Sequence, residues 1–188
     1  MDALVAAFIA ALLLGVGDRT SWLAAILSDR YSRQGAVLLG ALVAFAAGNA
    51  LAAFGGWLAA PILTPNARSL MLAVACLFAG VGGLLAVKRP NALERWRGGA
   101  LFTSTLGLVI LAFGESDQIV TAALAARSPI PAMAAIGATL GGLVAIAPAI
   151  ALGEQAYLKL PLRQIRLGIG LIFICIAIPL GFGALRLI

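Results

Sequence analysis

The sequence LGVGDRTS, residues 14–21, places an aspartate and an arginine inside the first long apolar segment of the chain. A second stretch, FGESDQ at residues 113–118, places two acids inside the fourth such segment. A charged side chain deep in a bilayer costs about 2.5–3.5 kcal/mol on insertion scales, so such residues usually mark an ion or substrate pathway. The two stretches therefore predict a membrane protein and the position of its functional site.

The composition of the 188-residue chain also indicates an integral membrane protein. Hydrophobic residues make up 63% of it and charged residues 11%, and the mean hydropathy of +1.09 exceeds what a soluble domain needs. A helix that crosses the bilayer needs about 20 apolar residues. We predict an all-α integral membrane protein with six transmembrane helices, over residues 4–27, 36–60, 69–87, 100–126, 132–153 and 165–185.

Basic residues are distributed unevenly between the two sets of connecting loops. The loops after the first, third and fifth segments carry Arg30, Arg33, Lys88, Arg89, Arg95, Arg97, Lys159, Arg163 and Arg166. The opposite side carries Arg68, Arg127 and Arg186. The positive-inside rule then predicts that both termini face outside, and the net charge of +6 reports orientation rather than nucleic-acid binding. Because Met1-Asp2 does not begin a basic targeting segment, we expect a multi-pass protein of the bacterial inner membrane.

The second half of the chain resembles the first at a constant offset of 97 residues. The matched pairs are Gly17 with Gly114, Asp18 with Glu115, Leu27 with Leu124, Arg30 with Arg127, Gly40-Ala41 with Gly137-Ala138 and Gly56 with Gly153. We therefore predict two three-helix repeats, residues 1–98 and 99–188. An odd number of helices inverts the second repeat, as in many secondary transporters, and brings the two acids together across a pseudo-two-fold axis.

The candidate metal ligands are the acids of the two stretches: Asp18, Glu115 and Asp117. Glu115 and Asp117 lie about 200° apart around an intact helix, so both can face one cavity only if the helix is distorted. In the first stretch, Gly15 and Gly17 can loosen the helix and free backbone carbonyls. The role of Asp117 stays open, either as a ligand or as the partner of Arg19.

Polar and small residues around these acids are the candidate lining of a transport path. They are Gly17, Arg19, Thr20, Ser21, Asn49, Gly114, Ser116, Gln118 and Thr121. In helical register, Gln118 shares the face of Glu115, and Thr121 shares the face of Asp117. Asn49, in the second predicted helix, either lines the path or makes a hydrogen bond between helices.

Carboxylate ligands suit a hard divalent cation such as Ca²⁺, Mg²⁺ or Mn²⁺. The chain has no histidine, and Cys76 and Cys175 lie outside both acidic stretches, which disfavours a Zn²⁺ or Cu⁺ site. Paired acids can hold protons when the site is empty and release them when metal binds. The residues therefore predict a secondary transporter that exchanges a divalent cation for protons. We expect no tightly bound cofactor and no enzyme activity; a homo-oligomer is compatible with the sequence.

Other classes fit parts of this pattern. An exporter of a small organic solute needs a roomier site, and a channel-like or purely structural membrane protein needs no exchange site. GVGD at residues 15–18 also matches the GxGD motif of intramembrane aspartyl proteases, whose chemistry needs a second aspartate at close range. Those enzymes share a Tyr-Asp motif on the preceding helix and a Pro-Ala-Leu motif near the C-terminus. In place of the Pro-Ala-Leu motif, this chain has only Ile178-Pro179-Leu180. A protease is therefore disfavoured.

The first acidic stretch resembles a known transporter family. GDRT at residues 17–20, LAAIL at 23–27 and RY at 30–31 are similar to the Gdt-type Mn²⁺/Ca²⁺ exchangers of the LysE superfamily, which include the MneA-like manganese exporters. The resemblance covers nearly the whole chain. It implies a six-helix inverted repeat that exchanges Mn²⁺ or Ca²⁺ for protons.

The signature of that family is Glu-x-Gly-Asp-Lys/Arg-Thr/Ser, once in each half. The resemblance carries its functional residues over to Asp18, Arg19 and Thr20. Gly15 and Ala112 stand where the family has its two glutamates. In the second copy, Glu115 replaces the aspartate, Ser116 the basic residue and Asp117 the hydroxyl residue. The four acids of the family thus become three, differently placed.

Overall fold

The computed structural model describes residues 2–91, 93, 96 and 99–185, and all regular structure in these ranges is helical. Arg95, Arg97 and Arg186, which contribute to the predicted charge asymmetry, lie outside the described residues. The helices are α1 (Asp2–Gly15), α2 (Arg19–Tyr31), α3 (Gln34–Ala59), α4 (Pro65–Leu84), α5 (Ala100–Ala112), α6 (Ser116–Arg127), α7 (Pro131–Tyr157) and α8 (Leu162–Ala184). The predicted all-α fold is confirmed.

Two of the six predicted membrane segments are broken helices. In the described residues, α3, α4, α7 and α8 are each long and apolar enough to cross a membrane alone. The α1–α2 pair is bent by 66° and the α5–α6 pair by 71°, and each pair passes the same test when taken as one span, which gives up to six spans. The prediction of continuous helices over 4–27 and 100–126 is therefore wrong at residues 16–18 and 113–115, where the chain is not helical.

Glycines with positive φ produce both breaks. Gly17 has φ +72° and Gly114 has φ +82°, a left-handed conformation that costs glycine little. At the first break Gly15 and Gly17 were expected to loosen the helix, although the segment was predicted as one continuous span. The second break has one glycine only and was not predicted. In a bilayer such breaks are tolerated where the freed backbone groups are buried in protein or line a cavity.

Helix boundaries recur along the chain at the predicted offset. Helices α2, α3 and α4 begin at residues 19, 34 and 65, and α6, α7 and α8 begin 97 residues later, at 116, 131 and 162. The contacts between helices recur in the same way. Helix α1 packs closely against α7, and α5, the counterpart of α1, packs closely against α3, the counterpart of α7. The division into repeats at residues 1–98 and 99–188 stays a prediction from the sequence.

Small residues allow this close packing. A Cβ at Gly137 or Gly141 of α7 would collide with the carbonyl oxygen of Leu4 or Phe8 on α1. A Cβ at Gly40 of α3 would likewise come within 2.8 Å of the Ser104 Cβ of α5. Without a hydrophobic force between helices in lipid, such close contact between backbones is a main source of stability. The alanine- and glycine-rich sequence thus serves to bring the helices together.

Large apolar side chains lie mainly on the outer surface. Phe78, Phe102, Ile110 and Leu171 are all more than half exposed, whereas the interior is filled mostly by alanine. A soluble protein rarely exposes apolar patches of this extent. This distribution fits a protein whose surface is covered by lipid, and it supports a multi-pass membrane protein.

Candidate functional site

The two helix breaks place the predicted acids at equivalent positions. Asp18 is the N-cap residue of α2 and Glu115 is the N-cap residue of α6. Both have extended backbone, with φ/ψ of −83°/171° and −66°/158°, and neither side chain caps its own helix. The N-terminus of a helix carries free N–H groups and a partial positive charge, which favours an acid there. The carboxyl groups of both acids thus remain available to other partners.

The Asp18 and Glu115 side chains line one narrow cavity and also one wider cavity. The two acids, here called the acidic pair, come from sequence positions 97 residues apart. The shared lining therefore brings the two helix breaks together at one site.

A narrow cavity of about 10 Å³ lies beside this pair. Its lining is Ala11, Leu14, Gly15, Asp18, Thr20, Ser21, Phe45, Glu115, Ser116, Asp117 and Gly142. This volume is about the room that one water-sized sphere occupies. All three predicted acids line this narrow cavity, and the break at Gly114 removes the helical geometry that would have turned Glu115 and Asp117 apart.

The acids do not form a complete metal cage by themselves. Within the described part of the chain, no three side chains of the His, Cys, Asp and Glu types are arranged to hold one metal ion. The Asp117 carboxylate accepts a hydrogen bond of 2.8 Å from the Gln118 N–H. Asp117 is thus already engaged by the backbone, and further oxygen ligands beside Asp18 and Glu115 would have to come from hydroxyls, backbone carbonyls or water.

A wider cavity of about 360 Å³ leads to the acidic pair. This open cavity shares Asp18, Glu115 and Ser116 with the narrow cavity. Gly82 and Gly83 at the end of α4, and residues 85–87 after it, form part of its wall. Arg19 lines it too, is exposed and makes no ion pair with Asp117 among the described residues. The acids therefore lie where the open cavity narrows.

Arg166 of α8 is a residue of this site that the sequence reasoning missed. Its Nη1 atom lies 3.1 Å from Asp18 Oδ1, in an ion pair whose side chains are 14% and 24% exposed. The charge count assigned Arg166 to a loop, and that assignment is wrong because α8 begins at Leu162. The predicted span 165–185 already included this arginine, so its position within a membrane helix could have been recognised from the sequence.

Hydrogen bonds from several helices hold the first break in place. The Gly17 N–H donates to Tyr157 Oη at 2.9 Å, and the Gly17 carbonyl accepts from Arg166 at 3.2 Å. Ser21 Oγ donates to the Gly15 carbonyl at 2.6 Å. Tyr157, at the end of α7, was also missed by the sequence reasoning. These bonds satisfy backbone groups that the break removes from the helical pattern.

The second break has its own supports. Gln118 Oε1 accepts from the Gly114 N–H at 3.1 Å, and Thr121 Oγ1 donates to the Asp117 carbonyl at 2.8 Å. Gln118 and Thr121 therefore stabilise the start of α6 and do not line the narrow cavity. Thr20 and Ser21 are buried residues of its wall.

Asn49 lies apart from the acids. Its buried side chain on α3 donates to Thr139 Oγ1 of α7 at 3.4 Å. Neither cavity that contains the acidic pair is lined by Asn49. Of the two interpretations left open by the sequence, this contact favours a hydrogen bond between helices.

The positive φ of Gly114 gives a clean test of the second break. A Cβ at this position would meet nothing within 4 Å, so a substitution acts on the backbone alone. The left-handed region costs an ordinary L-residue about 1–2 kcal/mol, most for a β-branched one, whereas asparagine visits it readily. Gly114→Val is expected to lower the midpoint of thermal unfolding in detergent by roughly 2–8 °C. Gly114→Asn should retain most of the stability; equal midpoints for the two variants would show that the strained break is not part of the native state.

Known proteins resemble the chain over nearly its full length. The family model described as divalent cation/proton antiporter GDT1 matches residues 3–91 and 100–186, which include both helix breaks. A Vibrio cholerae serotype O1 protein named "Putative manganese exporter" is 28% identical over 171 residues, which are 90% of this chain and 86% of that protein. No solved structure matches the chain.

Proposed function

Because the chain belongs to the divalent cation/proton antiporter GDT1 family and is a divalent cation transporter, we propose that it exchanges Mn²⁺ or Ca²⁺ for protons at the Asp18–Glu115 pair. Its family is one of transporters, so the prediction that the chain is not an enzyme is confirmed. Mn²⁺ is the first candidate, since the Vibrio cholerae relative is named as a manganese exporter.

One observation carries this proposal: two acids at the starts of two half-helices line one narrow cavity. Discontinuous helices that meet in this way bind substrates and coupling ions near the middle of the membrane in many secondary transporters. Two carboxylates also supply the charge that offsets a divalent cation. The site therefore supports cation transport more strongly than a structural role.

The donors and the space at the pair favour a small, hard cation. Carboxylates, the hydroxyls of Thr20 and Ser21 and backbone carbonyls are oxygen ligands of the kind that Mn²⁺ and Ca²⁺ accept. The narrow cavity, at about 10 Å³, is far below the roughly 300–1,000 Å³ of typical pockets for organic ligands. The open cavity, at about 360 Å³, lies within that range, so the preference for a cation over a small organic solute rests on the oxygen donors and the narrow space at the pair itself.

Proton exchange follows from the competition between a proton and a cation for the same oxygens. A carboxyl group of the empty Asp18–Glu115 pair can hold a proton. A bound metal ion needs deprotonated ligands, so its arrival expels that proton. Transport in one direction can therefore be coupled to proton movement in the other.

We also propose an orientation in the bacterial inner membrane. The open cavity is bounded by residues 82–83 and 85–87, at the start of the basic connection between α4 and α5, and by Arg166. By the positive-inside rule this end faces the cytoplasm and both termini lie outside. The open cavity is then the cytoplasmic entrance to the acidic pair.

Cation-dependent thermal stability tests binding by the native protein. A ligand that binds only the folded state stabilises it by about 2.7 kcal/mol at 100 times its Kd. Mn²⁺ or Ca²⁺ is therefore expected to raise the midpoint of thermal unfolding of the purified protein in detergent, in a panel with Mg²⁺ and Cd²⁺.

Asp18→Asn is the matched variant in that panel, because it preserves size and removes the charge. It should lose the cation-dependent shift. An equal shift in the variant would place cation binding elsewhere, and the absence of a shift with every cation in the native protein would contradict the proposal.

A further inference from the structure

Arg166 forms a polar link between three parts of the molecule. Its Nη1 atom contacts Asp18 Oδ1 at 3.1 Å and the Gly17 carbonyl at 3.2 Å, both at the first helix break. Its Nη2 atom donates to the Gly82 carbonyl at the end of α4 at 3.0 Å. Since Arg166 itself belongs to α8, this one side chain ties the α4–α8 pair to the break between α1 and α2.

The α4–α8 pair is otherwise attached asymmetrically. The two helices pack closely on each other, and Gly80 of α4 lies against Gly170 of α8. Helix α4 also packs on α6, yet the equivalent contact at the 97-residue offset, between α8 and α2, has no comparable packing in the described residues. On the side of α2, Arg166 supplies the polar contacts to the break, beside the apolar packing of Leu162 against the cluster that contains Ala25.

A divalent cation would compete with this arginine for the same carboxylate. Metal–oxygen distances for such cations are about 2.0–2.6 Å, so an ion on the Asp18 carboxylate would lie close beside the guanidinium. Two like charges at that separation repel strongly where the surroundings are poorly hydrated. The guanidinium is always charged and cannot relieve the repulsion by losing a proton.

The structure offers space for the displaced arginine. A side cavity of about 470 Å³, lined among others by Gly17, Trp22, Leu162 and Arg163, has Arg166 in its wall. Arg166 also lines the open cavity that holds the acidic pair. The guanidinium therefore lies between two cavities and can leave Asp18 by a change of side-chain conformation.

We propose that Arg166 occupies Asp18 in the empty transporter as an internal counter-cation, and that a divalent cation displaces it and so releases the α4–α8 pair from the helix break. This inference rests on the proposed function of the Asp18–Glu115 pair. Arg166 is then a positioning residue that couples occupancy of the site to helix movement. After the cation has left, the arginine returns to Asp18 and neutralises its charge before the empty protein changes conformation.

The test is Mn²⁺ binding by purified native protein and by Arg166→Gln, followed through the electron paramagnetic resonance signal of free Mn²⁺. Without the competing guanidinium, Arg166→Gln is expected to bind Mn²⁺ about tenfold more tightly, since a hydrogen bond between charged groups contributes at least that much. Arg166→Lys keeps the charge but cannot reproduce the fork of donors. It should bind about threefold more tightly.

Lys159→Gln is the matched control, because Lys159 is an exposed cation in the connection between α7 and α8 that lines neither the side cavity nor the two cavities at the acidic pair. It should bind Mn²⁺ as the native protein does. In proteoliposomes, Arg166→Gln is expected to lower KM for Mn²⁺ and also to lower kcat about tenfold, because the empty site lacks its counter-cation.

A merely structural arginine would give a different pattern. Unchanged or weaker Mn²⁺ binding by Arg166→Gln, or a raised KM, overturns the inference. If Arg166→Gln does not fold, binding by Arg166→Lys that is no tighter than native overturns it as well. Native protein that binds neither Mn²⁺ nor Ca²⁺ overturns the proposed function together with this inference, whereas native binding without an effect at Arg166 overturns the inference alone.

Discussion

Asp18→Asn is expected to lower Mn²⁺ transport in proteoliposomes by at least about 100-fold. Substitution of a residue that hydrogen-bonds to a metal ligand typically lowers metal affinity 10- to 100-fold, so removing the charge of a ligand itself should lower it more. Asp18 also takes part in the contacts that define the site: it is paired with Arg166 at 3.1 Å, and it lines both acid-lined cavities together with Glu115. The variant loses the anion that both the cation and the arginine need.

The control for this experiment is Asp2→Asn, which removes an exposed acid at the start of α1. It should transport Mn²⁺ at the native rate. Initial rates of ⁵⁴Mn²⁺ uptake, with protein content matched and the fold checked by thermal unfolding, give the comparison. Transport by Asp18→Asn within about threefold of native would remove Asp18 from the site.

Glu115→Gln is expected to have the second-largest effect, a loss of about 100-fold in the same assay. Glutamine is close in size and can still hydrogen-bond, but it offers neither a negative charge nor a proton to exchange. The expected loss should appear in Mn²⁺ uptake and in the accompanying proton flux together. If Mn²⁺ uptake persists while proton flux stops, Glu115 carries the proton without binding the metal, and the shared site is wrong.

Substitutions of two further acids give the scale against which the loss in Glu115→Gln is compared. Glu154 is paired with Arg89 at 2.9 Å outside both acid-lined cavities, so Glu154→Gln should leave the transport rate within about twofold of native. Asp117 lines the narrow cavity but accepts from the Gln118 N–H. Asp117→Asn is therefore expected to fall between the two, with a loss of about tenfold.

The fold was largely predictable because lipid imposes strong constraints. Twenty-residue apolar segments identify the spans, and the recurrence of helix starts such as 19 and 116 follows the offset read from the sequence. The break at Gly114 was not predictable in the same way. A single glycine in an apolar run is usually helical in a membrane, and only the counterpart Gly17, with Gly15 before it, points to a break. Gly153 shows the limit of the offset: it has φ +72°, while its counterpart Gly56 lies within helix α3.

The acids of the site were predictable, but its arginine was not. Charge inside an apolar segment stands out in the sequence, so Asp18 and Glu115 could be identified and paired through the repeat. Arg166 lies near the end of a span, where arginines are common and normally extend to the lipid headgroups. Its partner Asp18 is 148 residues away in sequence, so only the three-dimensional packing reveals that it points inward.

The packing also explains the two positions where the family signature has glutamate. A Cβ at Gly15 would already press on the Ala145 side chain, and Ala112 is 3% exposed in the core beside Leu108. A glutamate at either position would have to displace packed neighbours. The site is therefore built from the remaining acids, with Arg166 as an additional charged group.

Proton movement driven by a Mn²⁺ gradient is the most direct test of the central claim. Native protein is reconstituted into vesicles that contain a pH-sensitive dye, and Mn²⁺ is added on one side without an initial pH difference. We predict that Mn²⁺ entry is matched by loss of protons from the lumen, and that Asp18→Asn shows neither. Mn²⁺ entry by the native protein without a change in luminal pH, or proton flux that is equal with and without Mn²⁺, would contradict the exchange of cation for protons at the Asp18–Glu115 pair.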